Sequence, residues 1–544
     1  MTEYLTRVRD LAAMVPTAVR SVDVMRKAGL VPLSRPDHVL KSAMAVRKYG
    51  PIAGAARVAA TRDSKAVGLV DELGSLTFSQ LDLRSNALAR ALAAQGVTEH
   101  SVVALLARDH RGAVETMLAT GKLGARLLLM NTGFAKPQLI DVTKREGVTV
   151  FVHDQEFTEL VDTLPDTLPR FLAWVDTTPT AERTLEQLIA ATDDAPLPAP
   201  SRPGGMVLLT SGTTGTPKGA PRQVRSPLAA AQFLDRIPLR AGEATVLAAP
   251  LFHATGISQF IISFALHSAV VLRRRFDPEA TLRMIQANRA TALVLVPTML
   301  QRIMDLGPEV LGRYDTSSLR VVFTAGSALS PELGNRASKV FGDVIHNLYG
   351  STEVSVATVA TPADWRAAPG TVGKPPVGCK VVLYDDRGTA ITEPGVTGRI
   401  FAGSGLAFEG YTDGRNKEVI DGLLSTGDLG HFDAEGRLFI DGRDDDMIVS
   451  GGENVFPAEI ENLLVEFPGV VEAAVLGVED EKFGQRLKAY VVVEEGASVA
   501  EDDLREHVKS NLARFKVPRD VVFLDELPRN ATGKLMRKRL PEFG

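Results

Sequence analysis

From about Lys65 onward, short apolar runs alternate with segments in which apolar positions recur every three or four residues. The runs 66–70, 101–106, 149–153, 205–209, 245–249, 292–296 and 320–324 read as buried strands, and 79–95 has helical spacing. Strands alternating with helices predict an α/β fold of helices layered on sheet. Beyond Arg443 the texture shifts to a compact unit of about 100 residues. It contains predicted helices over 457–466 and 499–513 and strands near 470–478 and 487–494, a smaller α+β domain.

Ahead of Lys65 the pattern is different. Leu5, Val8, Leu11, Val15, Val19, Val22 and Met25 recur at helical spacing, interrupted by Pro16, and Gly29 and Gly50 are predicted helix stops. Residues 1–65 carry 12 Lys/Arg against 5 Asp/Glu, a net of +7 in a chain whose total is −5. Basic amphipathic helices of this kind predict peripheral contact with an anionic membrane, at its inner face for a cytoplasmic protein. Packing on the core, or on a second subunit in a homodimer, is the alternative. The uncharged run 256–272 is broken by Ser258, Gln259, Ser263, His267 and Ser268 and falls short of a bilayer span, which predicts a buried helix. No secretory signal opens the chain, and its last three residues are not a peroxisomal address.

Length and composition fit a large globular protein of two or more domains: 544 residues, 45% hydrophobic and 23% charged. The single cysteine, Cys379, forbids an intrachain disulfide, and the nine histidines form no zinc motif. No nucleic-acid partner is expected.

The most specific chemistry lies at 208–221, LLTSGTTGTPKGAP. Thr210, Ser211, Thr213, Thr214 and Thr216 offer hydroxyls, while Gly212, Gly215 and Gly219 let backbone N–H groups face an anion. Lys218 adds charge and Pro217 stiffens the turn. A Walker loop is excluded by register, because Gly212 would require glycine where Pro217 stands, and Gly219 follows Lys218 in place of Ser or Thr. The segment resembles the signature phosphate loop of the adenylate-forming enzymes, which include acyl-CoA synthetases, amino-acid adenylation domains and firefly luciferase.

The rest of that family's ATP site follows in order. Tyr349, Gly350, Ser351, Thr352 and Glu353 resemble its YGxTE segment. The resemblance implies an aromatic ring on adenine, a Thr352 hydroxyl at the α-phosphate and carboxylate, and Mg²⁺ held by Glu353. Thr426, Gly427 and Asp428 resemble the ribose-binding TGD turn, and Arg443 sits where the family has a second ribose contact. Gly326, Ser327 and Ala328 are expected beside the nucleotide and the acyl group.

The likeness covers roughly residues 65–538 and implies an α/β multidomain fold, a large adenylate-forming N-terminal domain followed by a small lid. It divides the chain into a basic extension (1–64), an ATP- and acyl-binding domain (65–444) and a mobile C-terminal lid (445–544) hinged at Asp445. Lys534, in the sequence Asn530, Ala531, Thr532, Gly533, Lys534, resembles the lysine that contacts carboxylate and α-phosphate during adenylation. Gly451 and Gly452 resemble the glycines that line the pantetheine path once the lid has rotated. Phe252, His253, Gly256 and Thr298 are expected at the acyl site, with His253 as a positioning group.

The segments 252–262, 296–300 and 325–328 hold no charged residue, which predicts an uncharged hydrocarbon tail. One departure from the family stands out: its DGWxHTGD segment reads Asp421, Gly422, Leu423, Leu424, Ser425, Thr426, Gly427, Asp428 here. The resulting expectation is an ATP-dependent acyl-CoA synthetase for a medium- or long-chain fatty acid, with ATP, Mg²⁺ and coenzyme A. A ligase for aryl or sterol-side-chain carboxylates and a catalytically silent acyl or nucleotide sensor are the alternatives.

Overall fold

The computed structural model describes residues 2–31, 36–177, 180–210, 218–222, 227–406, 410–412, 414, 416–444, 448–450, 453–480, 484–512, 514–530 and 533–543. Two mainly parallel sheets carry the large domain. One has eight strands, in the order Thr358–Ala360, Ile345–Tyr349, Val321–Thr324, Ala292–Leu295, Ala244–Leu247, Ala269–Val271, Val67–Asp71 and Gly74–Thr77. The other has six: Arg170–Trp174, Val150–Asp154, Val102–Leu106, Arg126–Leu129, Met206–Thr210 and Lys218–Arg222. The inner strands of both are parallel and apolar on both faces, as strands covered by helices must be. Antiparallel strands close both ends of the larger sheet and one edge of the smaller, where Pro221 costs no ladder hydrogen bond on its outer side.

A third, antiparallel sheet pairs Lys380–Tyr384, Gly398–Gly403, Leu423–Phe432 and Leu438–Arg443 in sequence. The small C-terminal domain has its own sheet, built on the long pair Val470–Asp480 and Gly484–Val493 with Asp520–Leu524 alongside. Helices Pro457–Val465 and Glu501–Asn511 cover it over a separate core of Ile460, Leu464, Val475, Val491, Leu504 and Val508. Large α/β and small α+β units match the predicted fold class.

The N-terminal extension forms two helices, and both lie on the core. Thr2–Ala28 continues through exposed Pro16, where one backbone hydrogen bond is lost without ending the helix. It buries Met25 and Ala28, pairs Arg20 with Asp235 at 3.0 Å, and leaves Val15, Val19 and Val22 exposed along one stripe. Gly29, at φ +83, ends it. Gly50 (φ +79) acts as a kink within Pro36–Arg62, and the helix resumes at Pro51, whose missing N–H suits a first turn. The second half buries Ile52, Ala53, Ala56 and Ala59, packing so closely that a Cβ on Gly121 would meet Ala53 Cβ at 2.8 Å.

The uncharged run 256–272 is not one helix. Helix Ala254–Ala265 ends before His267 (φ +56), and Ala269–Val271 joins the eight-stranded sheet. Ser268 explains the break: its hydroxyl accepts the Glu243 N–H and donates to Arg240 O, pairing backbone groups that a continuing helix would not reach. Among the described residues, no helix is long and apolar enough to cross a membrane.

Candidate active site

The phosphate-loop and 349–353 segments leave the C-terminal ends of parallel strands, the edge at which open α/β sheets bind ligands. The phosphate-loop motif joins Met206–Thr210 to Lys218–Arg222, which pair with Thr210 opposite Lys218. Both ends of the loop are therefore fixed by sheet hydrogen bonds. Ser211, Gly212, Thr213, Thr214 and Gly215 lie outside the described residues. Lys218 Nζ stands 5.0 Å from the centroid of the Tyr411 ring, and the Tyr411 hydroxyl donates to Glu353 Oε1 at 2.5 Å. Thr412 N–H donates to Gly219 O at 2.9 Å, so the segment carrying Tyr411 is tied to the exit strand of the loop. Burial works to raise the pKa of Glu353, yet hydrogen bonds with Tyr411 and Ser351 outweigh it and hold the carboxyl below its ordinary value.

Strand Ile345–Tyr349 delivers the aromatic residue, and the chain then turns sharply. A Cβ on Gly350 would stand 2.0 Å from Ser355 O, so only glycine fits there. Thr352 and Glu353 follow in that turn. The Tyr349 hydroxyl donates to Asp428 Oδ2 at 2.5 Å. Asp428 and Arg443 are direct partners across the antiparallel pair Leu423–Phe432 and Leu438–Arg443, and Arg443 Nη1 lies 3.4 Å from Asp428 Oδ1. Gly427 (φ +81), beside Asp428 within the same strand, would place a Cβ 3.3 Å from Arg443 Nη2. Desolvation raises the pKa of Asp428 against the opposing pull of Tyr349, Arg443, Lys534 and Lys417. Lys417 acts electrostatically on Glu353 as well, so both carboxylates feel its charge.

The acyl side is built by three neighbouring strands. After Val321–Thr324, Gly326 turns at φ +96 with its Cβ direction facing Val296 Cγ1 (3.6 Å) and Thr255 Oγ1 (3.8 Å). Ser327 is half-buried and Ala328 exposed beyond it. After Ala292–Leu295 comes helix Pro297–Met304, with Thr298 in its first turn. After Ala244–Leu247 come Phe252 and His253, and a Cβ on Gly256 would lie 2.1 Å from Pro250 O, so the helix start is pressed onto its own approach. Burial first, and the Lys534 ammonium second, push the His253 imidazole down to about 4, so it is neutral at pH 7. Asp109 anchors this segment from the six-stranded sheet: its Oδ1 accepts the Leu251 N–H at 2.9 Å. Burial pushes the Asp109 carboxyl up to about 7.

The C-terminal domain closes the arrangement. Asn530 Oδ1 accepts the Lys534 N–H at 2.9 Å, and Arg529 Nη1 donates to Gly533 O at 2.8 Å, making a tight loop. A Cβ on Gly533 (φ +77) would stand 2.4 Å from Thr298 Oγ1. Lys534 is thus brought to the junction of acyl and nucleotide sides, within electrostatic reach of both His253 and Asp428. Asp445, Gly451 and Gly452 lie outside the described residues.

The family model for AMP-binding enzymes matches residues 55–412, and that for the AMP-binding enzyme C-terminal domain matches 459–534. The chain belongs to the adenylate-forming enzymes. It is 35% identical to an indoleacetate–CoA ligase of Aromatoleum aromaticum, covering 85% of this chain and 92% of the relative. It is 31% identical to a fatty acid–[acyl-carrier-protein] ligase of Streptomyces coeruleorubidus over 86% and 91%. Its fold is similar to the crystal structure of an anthranilate CoA ligase in complex with anthranoyl-AMP, with TM-score 0.82, 26% identity, and 90% and 96% of the two chains covered.

In this adenylate-forming enzyme the contacts link Lys218 to Glu353 through Tyr411, Tyr349 to Asp428 and Arg443, and the Lys534 loop to Thr298, while three neighbouring residues went unread. Tyr411, Lys417 and Asp109 stand alone in polar loops with no spacing to mark them. Only Gly410 before Tyr411, an aromatic after a flexible residue, offered a signal. For Mg²⁺, Glu353 supplies one buried, ionised carboxylate. Among the described residues no cluster of three or more His, Cys, Asp or Glu could hold a metal. That donor set fits an ion bound mainly through substrate phosphates and water.

Proposed function

We propose that this AMP-forming acid–thiol ligase activates an aryl or arylalkanoic carboxylic acid and transfers it to coenzyme A. The observation that carries the reading is the meeting of Lys534 with His253, Thr298 and Asp428 at one junction. A carboxylate oxygen attacks the α-phosphorus of ATP, the bond to the β-phosphate oxygen breaks, and acyl-AMP and pyrophosphate result. Lys534 offsets negative charge that grows at the α-phosphoryl oxygens during this attack. Lys218 and Lys417 neutralise the leaving phosphates, and Asp428 with Arg443 fixes the ribose. Bound Mg²⁺ would add charge neutralisation at the phosphates, with Glu353 as its protein donor.

In the second step the thiol of coenzyme A gives its proton to solvent, its sulfur attacks the acyl carbonyl carbon, the bond to the phosphate oxygen breaks, and AMP leaves. Rotation of the C-terminal domain about Asp445 would withdraw Lys534 and bring Gly451 and Gly452 to the thiol path. Neutral His253 positions the acyl carboxylate and gives up no proton. The ring-bearing substrates named for the indoleacetate and anthranilate relatives support the aryl reading. A medium- or long-chain fatty acid is the second reading, supported by the uncharged acyl lining and the fatty-acid relative. A panel of aryl and aliphatic acids, assayed separately for pyrophosphate release and thioester formation, decides between them. Release of pyrophosphate with aliphatic acids alone would overturn the aryl reading.

A further inference from the structure

Helix Ala254–Ala265 borders the acyl side, and Thr255, Gln259 and Ser263 recur on one face of it at helical spacing. That face is turned to the eight-stranded sheet. Thr255 Oγ1 meets the Cβ direction of Gly326, and Ser263 Oγ donates to Thr245 Oγ1 at 3.2 Å. Between them, Gln259 is 1% exposed. Among the described residues, neither its Oε1 nor its Nε2 has a hydrogen-bond partner.

A primary amide carries an acceptor oxygen and two N–H donors. Buried amides are almost always paired, because stripping them of water without replacement is unfavourable. On this side of the sheet Leu247, Val294 and Phe323 offer no polar side-chain atom, and the Thr245 hydroxyl is engaged by Ser263. Leucine or methionine would fill the same space without that penalty, so the amide points to a partner outside the protein. The helix fixes where that partner lies: Gln259 is four residues beyond Thr255 and six beyond His253, roughly 6 to 9 Å along the axis.

We propose that Gln259 is a specificity-determining residue that hydrogen-bonds a neutral polar substituent on the acyl group, a hydroxyl, carbonyl or ring N–H carried well beyond the carboxylate. The inference rests on the acid–CoA ligase reading and narrows its substrate class. A charged substituent is disfavoured, because the segments 252–262, 296–300 and 325–328 hold no charged residue to meet it. An unsubstituted hydrocarbon would leave the amide unpaired in the complex as well, so its presence discriminates against plain fatty acids.

The test measures kcat/KM for acid-dependent pyrophosphate release with two matched pairs, para-hydroxyphenylpropanoate against phenylpropanoate and omega-hydroxyhexanoate against hexanoate. The full-length wild type should favour the hydroxylated member of at least one pair by about 10²-fold. Gln259→Leu should erase that preference while still releasing pyrophosphate with the bare acid, and Gln259→Met serves if the leucine variant fails to fold. Equal or better turnover of both bare acids by the wild type would overturn the proposal. So would an unchanged ratio in the variants. Absence of pyrophosphate release with every acid would overturn the ligase reading itself, and the proposal with it.

Discussion

Gly533 backs directly onto Thr298: a side chain at position 533 would stand 2.4 Å from the threonine hydroxyl. This contact seats the Lys534 loop of the C-terminal domain on the acyl side of the large domain. Gly533 also holds φ +77, which most residues adopt only with strain. Both features make the glycine a requirement for this closed arrangement.

Gly533→Val should therefore mimic loss of the lysine. Both Gly533→Val and Lys534→Ala are expected to slow pyrophosphate release by about 10²-fold or more, comparable with removing a transition-state donor. Thioester formation from supplied acyl-AMP should stay close to wild type in both. Measuring the two half reactions separately checks this, and equal losses would contradict a lysine used in one step only.

Tyr411→Phe removes the hydroxyl that donates to Glu353. A hydrogen bond to a charged group contributes about 1.5–3 kcal/mol, so adenylation should fall roughly 10- to 100-fold. The Mg²⁺ concentration for half-maximal activity should rise, because the freed carboxylate is less well oriented. An unchanged Mg²⁺ titration would separate Tyr411 from the site.

Asp109 gives the fold a pH dependence of known sign. Its folded pKa of about 7 exceeds the unfolded value, so the folded state holds the proton more tightly and stability falls as pH rises from about 4 to 7. Asp109→Asn keeps an acceptor for Leu251 N–H and has no proton to lose. Between pH 5 and 8 the variant should gain about 2–3 kcal/mol relative to wild type, read from urea midpoints at the two pH values. A constant difference would remove the carboxyl from this role.

The N-terminal helices differ in what they contribute. Deleting residues 1–60 removes buried Ile52, Ala53, Ala56 and Ala59 and should leave an insoluble or unfolded chain. Deleting residues 2–31 removes a helix whose buried side chains among the described residues are Ser21, Met25 and Ala28, and should leave adenylation active. If the Val15, Val19 and Val22 stripe meets anionic lipid, this shorter deletion lowers sedimentation with phosphatidylserine vesicles, and salt does the same to the full chain. Full-length protein that ignores such vesicles would end the membrane reading.

Much of the fold could be read from residues alone because inner parallel strands such as Val102–Leu106 and Ala292–Leu295 are continuous apolar runs with no other stable use. The nucleotide motifs were legible because their glycines answer to local geometry, as at Gly350, where a Cβ would stand 2.0 Å from Ser355 O. What escaped was tertiary. Nothing local marks Tyr411 as the donor to Glu353, or Asp109 as the anchor of Leu251, since each relation spans many residues. In the sequence Gln259 is only a polar residue interrupting an uncharged run, and its burial with no hydrogen-bond partner among the described residues is what singles it out. The break at Ser268 was likewise hidden, because a serine in an apolar run looks the same in a helix and at its end.

Carboxylate attack at the α-phosphorus of ATP is the step that every role proposed for Lys534, Lys218 and Asp428 serves. Turnover of a heavy-oxygen-labelled carboxylic acid with ATP and coenzyme A, followed by mass analysis of the nucleotide product, tests that step directly. One labelled oxygen should pass from the carboxylate into each AMP formed, with pyrophosphate unlabelled and one thioester made per AMP. Unlabelled AMP, or ADP as the product with the label in released inorganic phosphate, would contradict the acyl-adenylate route.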